Sequence, residues 1–222
     1  MEADMLASLK SKETYSHYFK TLKYALYVIT HPFDGFWDLT HEKRGSMAAA
    51  NTIVILTVIA RLASLQFTSF LFQAVYWENI NIFLYIASIV FPLALFCVGN
   101  WGLTTLFDGK GRLGQIYMGV SYALTPYPLI QFPLIILSNI VTRDEGAFYD
   151  VLASFTLIWC ALLIICAMLE IHEFSMAKTL FFMVASLFAM AVMVFILLLF
   201  FSMISQGVAY FVSIVQEIMY RM

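Results

Sequence analysis

A chain of 222 residues with 62% hydrophobic and 12% charged residues carries too little polar surface to cover a soluble globule, in which about 25% of residues are charged. Lipid must therefore be its main solvent. The net charge of −2 gives no basic bias toward nucleic acid, and 21 Phe with 12 Tyr suit membrane spans with interfacial aromatic belts.

From the N-terminus, residues 1–13 (MEADMLASLKSKE) are polar and expected to be loose. From Tyr15 the pattern changes: Tyr15, Tyr18, Phe19, Leu22, Ala25, Leu26 and Ile29 recur with helical spacing. The spacing predicts an amphipathic helix over about 14–30, stopped ahead of Pro32. Its broad aromatic face, flanked by lysines, suits the membrane interface; packing on the protein's own loops is the alternative. "HPFDGFWDLTHEKRG" then reads as a structured juxtamembrane segment, with Phe33, Phe36 and Trp37 at headgroup depth and Lys43 and Arg44 facing anionic lipid. No cleavable signal peptide is apparent, because about 45 residues of both charge signs precede the first apolar run.

Five apolar runs follow, each long enough to cross about 30 Å of hydrocarbon: about 47–67, 80–107, 116–140, 148–169 and 177–204. They predict an all-α, polytopic bundle of five transmembrane helices preceded by the amphipathic helix. The organisation is an N-terminal segment over 1–45, a membrane domain over 46–205 and a C-terminal extension over 206–222. The fifth run is too long for one upright span, so its continuation "QGVAYFVSIVQEIMYR" is expected to leave the bilayer or lie on its surface.

Lys10, Lys12, Lys20, Lys23, Lys43, Arg44, Lys110, Arg112 and Lys178 fall on one side of such a bundle, and only Arg143 and Arg221 on the other. The loop around "QAVYWENIN" carries neither Lys nor Arg. The positive-inside rule therefore predicts a cytoplasmic N-terminus and a C-terminus on the far side.

Within the runs, Arg61 is the one unambiguous charge deep in a span, and such residues face the bundle interior with a partner. At 1.5 Å per residue from Met47 it lies roughly 21 Å up, near the depth of Asp150. It is expected to pair with Asp150 or to snorkel to the headgroups. Asn51 and Asn100 lie near the inner ends of the first two spans, where their amides can bond across helices. Pro126, Pro128 and Pro133 in "ALTPYPLIQFPL" predict a broken or kinked third span. A packing kink is favoured there over a transport path.

"FDGKGRLGQIY" (Phe107–Tyr117) is the most polar stretch between spans. A P-loop needs G-x-x-x-x-G-K-[ST], but here the Gly102-to-Gly109 interval is wrong and Lys110 is followed by Gly111. The stretch is instead a sharp turn, with Gly109 or Gly111 expected at left-handed positions. Asp108, Gly109, Lys110, Gly111 and Arg112 are left as a loop where a partner could dock. "EIHEFS" (Glu170–Ser175) lacks the second histidine of a zincin and reads as a helix terminus at the headgroups. Cys97, Cys160 and Cys166 read as small hydrophobes. No catalytic residue, cofactor site or metal site is assigned, and the chain reads as not an enzyme.

"NWGLTTLFDGKGRLGQIYMGVSYALTPYPL" (Asn100–Leu129) resembles the signature region of the Yip family, five-span membrane proteins that interact with Ypt/Rab GTPases. Tyr122, Leu124 and Pro126 match its Tyr-x-Leu-x-Pro-like element. "HPFDGFWDLTHEKRGS" and "LEIHEFSMAK" look like the short prokaryotic, Gram-positive-like branch. The resemblance covers about 30–205 and implies five clustered spans in a bacterial plasma membrane. A Rab-linked role is not implied, since the long acidic tail with a "DLYGP"-type motif is lacking. The implied role is an adaptor, assembly factor or accessory subunit, with an ABC-type transporter among the candidate partners. Its partners would be membrane lipids and other integral membrane proteins, in hetero- or homo-oligomers, and not nucleic acid. The alternatives are a small transporter or channel subunit built on the broken third span, and a lipid-binding or membrane-shaping protein.

Overall fold

Pro32 and Ser46 set how the chain enters its membrane domain. The computed structural model describes residues 2–72 and 80–221, with side chains described from Ser16. The first helix, α1, runs Glu2–Thr30, so the stretch expected to be loose is helical from Glu2. It contains no Gly or Pro, and its Ala, Leu, Met, Lys and Glu residues favour the helix. Pro32 lacks the N–H that would extend α1 and instead opens α2 (Pro32–His41) at a first-turn position. The two form a tight hairpin in which the Gly35 backbone lies against Val28. Tyr24 fixes it by donating to the Gly35 carbonyl at 3.1 Å and to Asp38 Oδ2 at 3.3 Å.

Ser46 caps α3 (Met47–Phe67), its Oγ accepting from the Ala49 N–H at 3.1 Å. The remaining helices are α4 (Ile82–Leu106), α5 (Leu113–Ala123), α6 (Pro126–Ser138), α7 (Gly146–His172) and α8 (Met176–Arg221), with a 3-10 turn at Arg143–Glu145. No strand occurs among the described residues. Counting α5 and α6 together, five helical segments are long and apolar enough to cross a membrane. The lysine- and arginine-free loop used for orientation spans residues 73–81, of which 73–79 lie outside the described residues.

The α5–α6 span is the central one. More than half of its most apolar window is buried, a larger share than in any of the other four. The core lies where α1, α2, α3, α4, α5 and α7 converge, around Phe36, Ala49, Ala50, Ile53, Ile116, Tyr122, Leu163 and Ala167. Small residues at these crossings let helices approach closely, which is what drives association in lipid. Phe36 is fully buried there, whereas Phe33 and Trp37 are exposed.

The three prolines of this span produce one break, at Leu124–Thr125. Pro126 cannot donate to the Tyr122 carbonyl four residues back. Thr125 takes that carbonyl instead, through its N–H at 3.1 Å and its Oγ1 at 2.6 Å. Pro126 and Pro128 occupy the first turn of α6, where no N–H partner is required, and Pro133 is carried inside the helix.

Tyr122 ties the N-terminal hairpin to this span. Its hydroxyl donates to the Thr21 carbonyl at 3.1 Å and accepts from the Ser46 N–H at 3.3 Å. Tyr122→Phe strands the Ser46 N–H, at a cost of about 1–3 kcal/mol. Limited proteolysis should then cut α1 several-fold faster while the spans stay intact; unchanged cleavage would show that the bridge does not hold α1.

Helix α8 continues unbroken for 46 residues, about 69 Å at 1.5 Å per residue. Its buried residues, Thr179, Phe182 and Ser186, all lie near its start. The continuation beyond residue 204 is part of the same helix, and Gly207, which meets no neighbour within 4 Å, does not interrupt it.

Candidate functional site

The polar stretch Phe107–Arg112 joins α4 to α5 and rests on the end of α7. The left-handed residue of the turn is Asp108, at φ 61°, and no glycine has positive φ among the described residues. Gly109 and Gly111 are small for a different reason. A Cβ on Gly109 would meet Thr104 Cβ at 2.6 Å, and one on Gly111 would meet His172 Cε1 at 2.6 Å. The glycines let the turn lie flat on a histidine. Asparagine and aspartate are the non-glycine residues that best tolerate the left-handed region, so Asp108 takes that place.

His172 closes α7 and is buried. Its Nδ1 accepts the Gly111 N–H at 3.3 Å, so its Nε2 carries the proton and donates to Asn100 Oδ1 at 2.9 Å. Asn100 Nδ2 then donates to Ser186 Oγ at 3.0 Å, and Ser186 donates to the Phe182 carbonyl at 2.7 Å. One directed chain of hydrogen bonds thus joins the turn, α7, α4 and α8. It fixes a neutral imidazole with both ring nitrogens engaged. Thr104, buried beneath the turn, donates to the Asn100 carbonyl at 2.7 Å, and its own carbonyl accepts the Gly109 N–H at 2.8 Å.

A second layer covers this node at the surface. Glu173 is left-handed at φ 53° and ends α7. Its carboxylate pairs with Lys110 and lies 3.5 Å from His41 Nε2 on α2. The Lys110 ammonium, with its hydrogen bond, holds the Glu173 carboxyl below the usual carboxylate range, and His41 adds to this. Lys178 donates to the Phe107 carbonyl at 3.3 Å and lies 3.9 Å from the Phe174 ring centroid. Asp108 and Arg112 are exposed on the flanks of the turn, and neither has an ion pair among the described residues.

The other residues singled out in the sequence are dispersed. Asn51 is exposed and accepts from the Tyr117 hydroxyl at 2.6 Å. Arg61 does not pair with Asp150, which is exposed. Its guanidinium lies 5.7 Å from the Tyr85 ring centroid, with the Tyr127 hydroxyl in reach. An aromatic face and a phenol stand in for the carboxylate, because α3 turns Arg61 toward α4 and α6. On α1, Thr21, Ala25 and Val28 are buried and Leu22 packs against the core, while Phe19 is 64% and Leu26 50% exposed. One side of the helix thus packs on the protein, and the adjacent side is exposed. The side chain of Tyr15 lies outside the described residues.

Sequence reasoning had Asn100, Gly109, Gly111 and His172 in hand but did not join them. The available signal was two polar residues near span ends, Asn100 and His172, a third inside the last apolar run, Ser186, and two closely spaced glycines between spans. Among the described residues, no three His, Cys, Asp or Glu side chains group as metal ligands.

A family model described as the Yip1 domain matches residues 26–213, which include the whole node, the broken span and most of α8. No curated protein and no solved structure matches the chain.

Proposed function

This chain belongs to the Yip1 domain family of membrane proteins, and from that premise we propose that it acts without catalysis, as an adaptor, assembly or accessory subunit for other integral membrane proteins. An ABC-type transporter is one such partner class. The observation that carries the reading is the Phe107–Arg112 turn. It is held from beneath by His172 and at its side by Glu173, and it offers Asp108 and Arg112 outward. A rigid loop with charges of both signs and no internal ion pair on them suits recognition of a polar surface, since little entropy is lost on docking. The buried polar groups around it are engaged with one another: no described buried side-chain N or O lacks a hydrogen-bond partner. They serve packing and leave the exposed flank for binding.

Affinity purification from native membranes should retain a membrane partner in stoichiometric amount. Asp108→Asn combined with Arg112→Glu should release it, about tenfold or more, at unchanged thermal stability; asparagine keeps the left-handed backbone accessible. Recovery of the native chain alone, or only with copies of itself, would overturn the reading. A small transporter or channel subunit is the second reading, supported by the break at Leu124–Thr125 in the middle of the bundle. Thr125 closes that break onto Tyr122, which fits packing better than a path. Solute flux in proteoliposomes of the purified chain, abolished by Arg61→Leu, would transfer the assignment.

A further inference from the structure

Two adjoining concavities flank α1. One is a cleft of about 480 Å³ whose lining includes Lys20, Lys23, Tyr24, Tyr27 and Arg44. The other is a groove of about 530 Å³ between α1, α3 and α6, with Phe19, Leu26, Leu56, Leu129 and Phe132 on its walls. They share Lys23 and Leu26 as lining residues, so a basic cleft and an apolar groove lie side by side. We propose that together they hold one anionic phospholipid, its phosphate at Lys20 and Lys23 and an acyl chain along the groove. The proposal stands apart from the adaptor reading and uses no residue of the turn.

Charge points to an anion. Lys20 and Lys23 lie three residues apart, on one side of the helix, and both are exposed. Neither has an ion pair among the described residues. Arg44 contributes less, because Asp38 at 3.2 Å and Glu42 at 2.5 Å already neutralise it. Its guanidinium lies 5.9 Å from the Tyr24 ring centroid and closes the cleft on that side. The two lysines are therefore the cations with charge to spare.

Shape points to a lipid. The groove is walled by two membrane-spanning helices and by the exposed side of α1, and is almost wholly apolar. A partner helix, about 10–12 Å wide, would fill that volume with about one turn, too little to dock. A single extended chain fits within it, and the volume lies inside the roughly 300–1,000 Å³ of sites that enclose small ligands. A soluble anion would use the cleft and leave the groove empty.

Native mass spectrometry of the full chain, released from micelles carrying equal phosphatidylglycerol and phosphatidylcholine, tests this. One phosphatidylglycerol should be retained in preference. Lys20→Gln with Lys23→Gln should cut that preference about tenfold or more, and Lys20→Arg with Lys23→Arg should restore it. Leu129→Trp, which fills the groove, should lower retention while the lysines stay in place. All these positions are at the surface, and an unchanged melting temperature shows that the variants are folded. Retention insensitive to both kinds of variant would mean annular lipid only and overturn the site. Displacement of the lipid by millimolar glycerol 3-phosphate would mean a soluble-anion site and overturn it equally.

Discussion

Replacing His172 by Ala is expected to destabilise the bundle by about 3 kcal/mol or more. Two buried groups lose their partner at once, the Gly111 N–H and Asn100 Oδ1. Each orphaned group costs about 1–3 kcal/mol, and the vacated imidazole leaves a cavity that adds to this. Asn100→Leu should cost a similar amount, since it strands the His172 Nε2–H and removes the donor to Ser186 Oγ. The double variant His172→Ala, Asn100→Leu decides whether these are one effect or two. Residues in one hydrogen-bonded chain are coupled, so the combined loss should fall short of the sum by more than about 1 kcal/mol. Unfolding in micelles, followed by loss of the monodisperse species on heating, gives all three values. Strict additivity, or a loss below about 0.5 kcal/mol for His172→Ala, would mean that the node does not hold the turn.

The second large effect concerns the glycines of the turn, and here the physical cause matters. If Gly109 and Gly111 were present for a left-handed backbone, any side chain would be penalised by torsion. Neither has positive φ. The penalty is contact: a Cβ on Gly111 would lie 2.6 Å from His172 Cε1 and 2.7 Å from Ile171 Cγ2, and one on Gly109 would lie 2.8 Å from the Thr104 carbonyl oxygen. Overpacking of this kind costs about 1–3 kcal/mol, so Gly111→Ala and Gly109→Ala should both lower the melting temperature clearly. Gly119→Ala should cost less, because the closest atom at 2.5 Å is the mobile end of Ile171, Cδ1. Gly102→Ala meets nothing within 4 Å and should gain about 0.5–1 kcal/mol as a helix-interior substitution. Asp108→Gly, which relieves the left-handed φ of 61°, should be neutral or stabilising. Melting curves for the five variants give the order, and a destabilising Asp108→Gly with a silent Gly111→Ala would reverse the assignment of roles within the turn.

The node and the lipid cleft lie in different parts of the chain, and their consequences separate accordingly. Loss of His172 should loosen α4, α5, α7 and α8 together, since all four contribute to the chain of bonds. Changes at Lys20 and Lys23 should leave those helices untouched, because the lysines contact no member of the node. A partner lost with Asp108 and Arg112 but kept with Lys20 and Lys23 would separate protein recognition from lipid recognition.

Much of this molecule was legible in its residues. Hydrophobic runs longer than the bilayer is thick can only be spans, because backbone groups in lipid must bond within their own segment. That made the five-span helical architecture a matter of counting. Proline chemistry placed a break in the third span, and the Asn100–Leu129 stretch placed the chain in its family. What one dimension could not carry was the partner of each polar group. Arg61 was matched with Asp150 by depth alone, but depth ignores azimuth, and α3 turns the guanidinium to Tyr85. Gly109 and Gly111 were read by the rule that turn glycines adopt positive φ. A glycine required by a neighbour 61 residues away in sequence, as Gly111 is by His172, leaves no local trace, and Asp108 tolerates the strained place unaided.

The sequence by itself determined that this protein lives in a membrane, how many times it can cross and where the crossings are, because hydrophobicity and helical length are properties of consecutive residues. The helix terminus expected at Glu170–Ser175 is present, with α7 ending at His172, and only the tertiary structure decided that His172 is the keystone of the turn. It also decided that Tyr122 binds the N-terminal hairpin to the central span, and that the cleft lined by Lys20 and Lys23 adjoins an apolar groove. Each of these joins residues on separate helices, and it is helix packing, with its choice of which face meets which, that brings such residues within bonding distance.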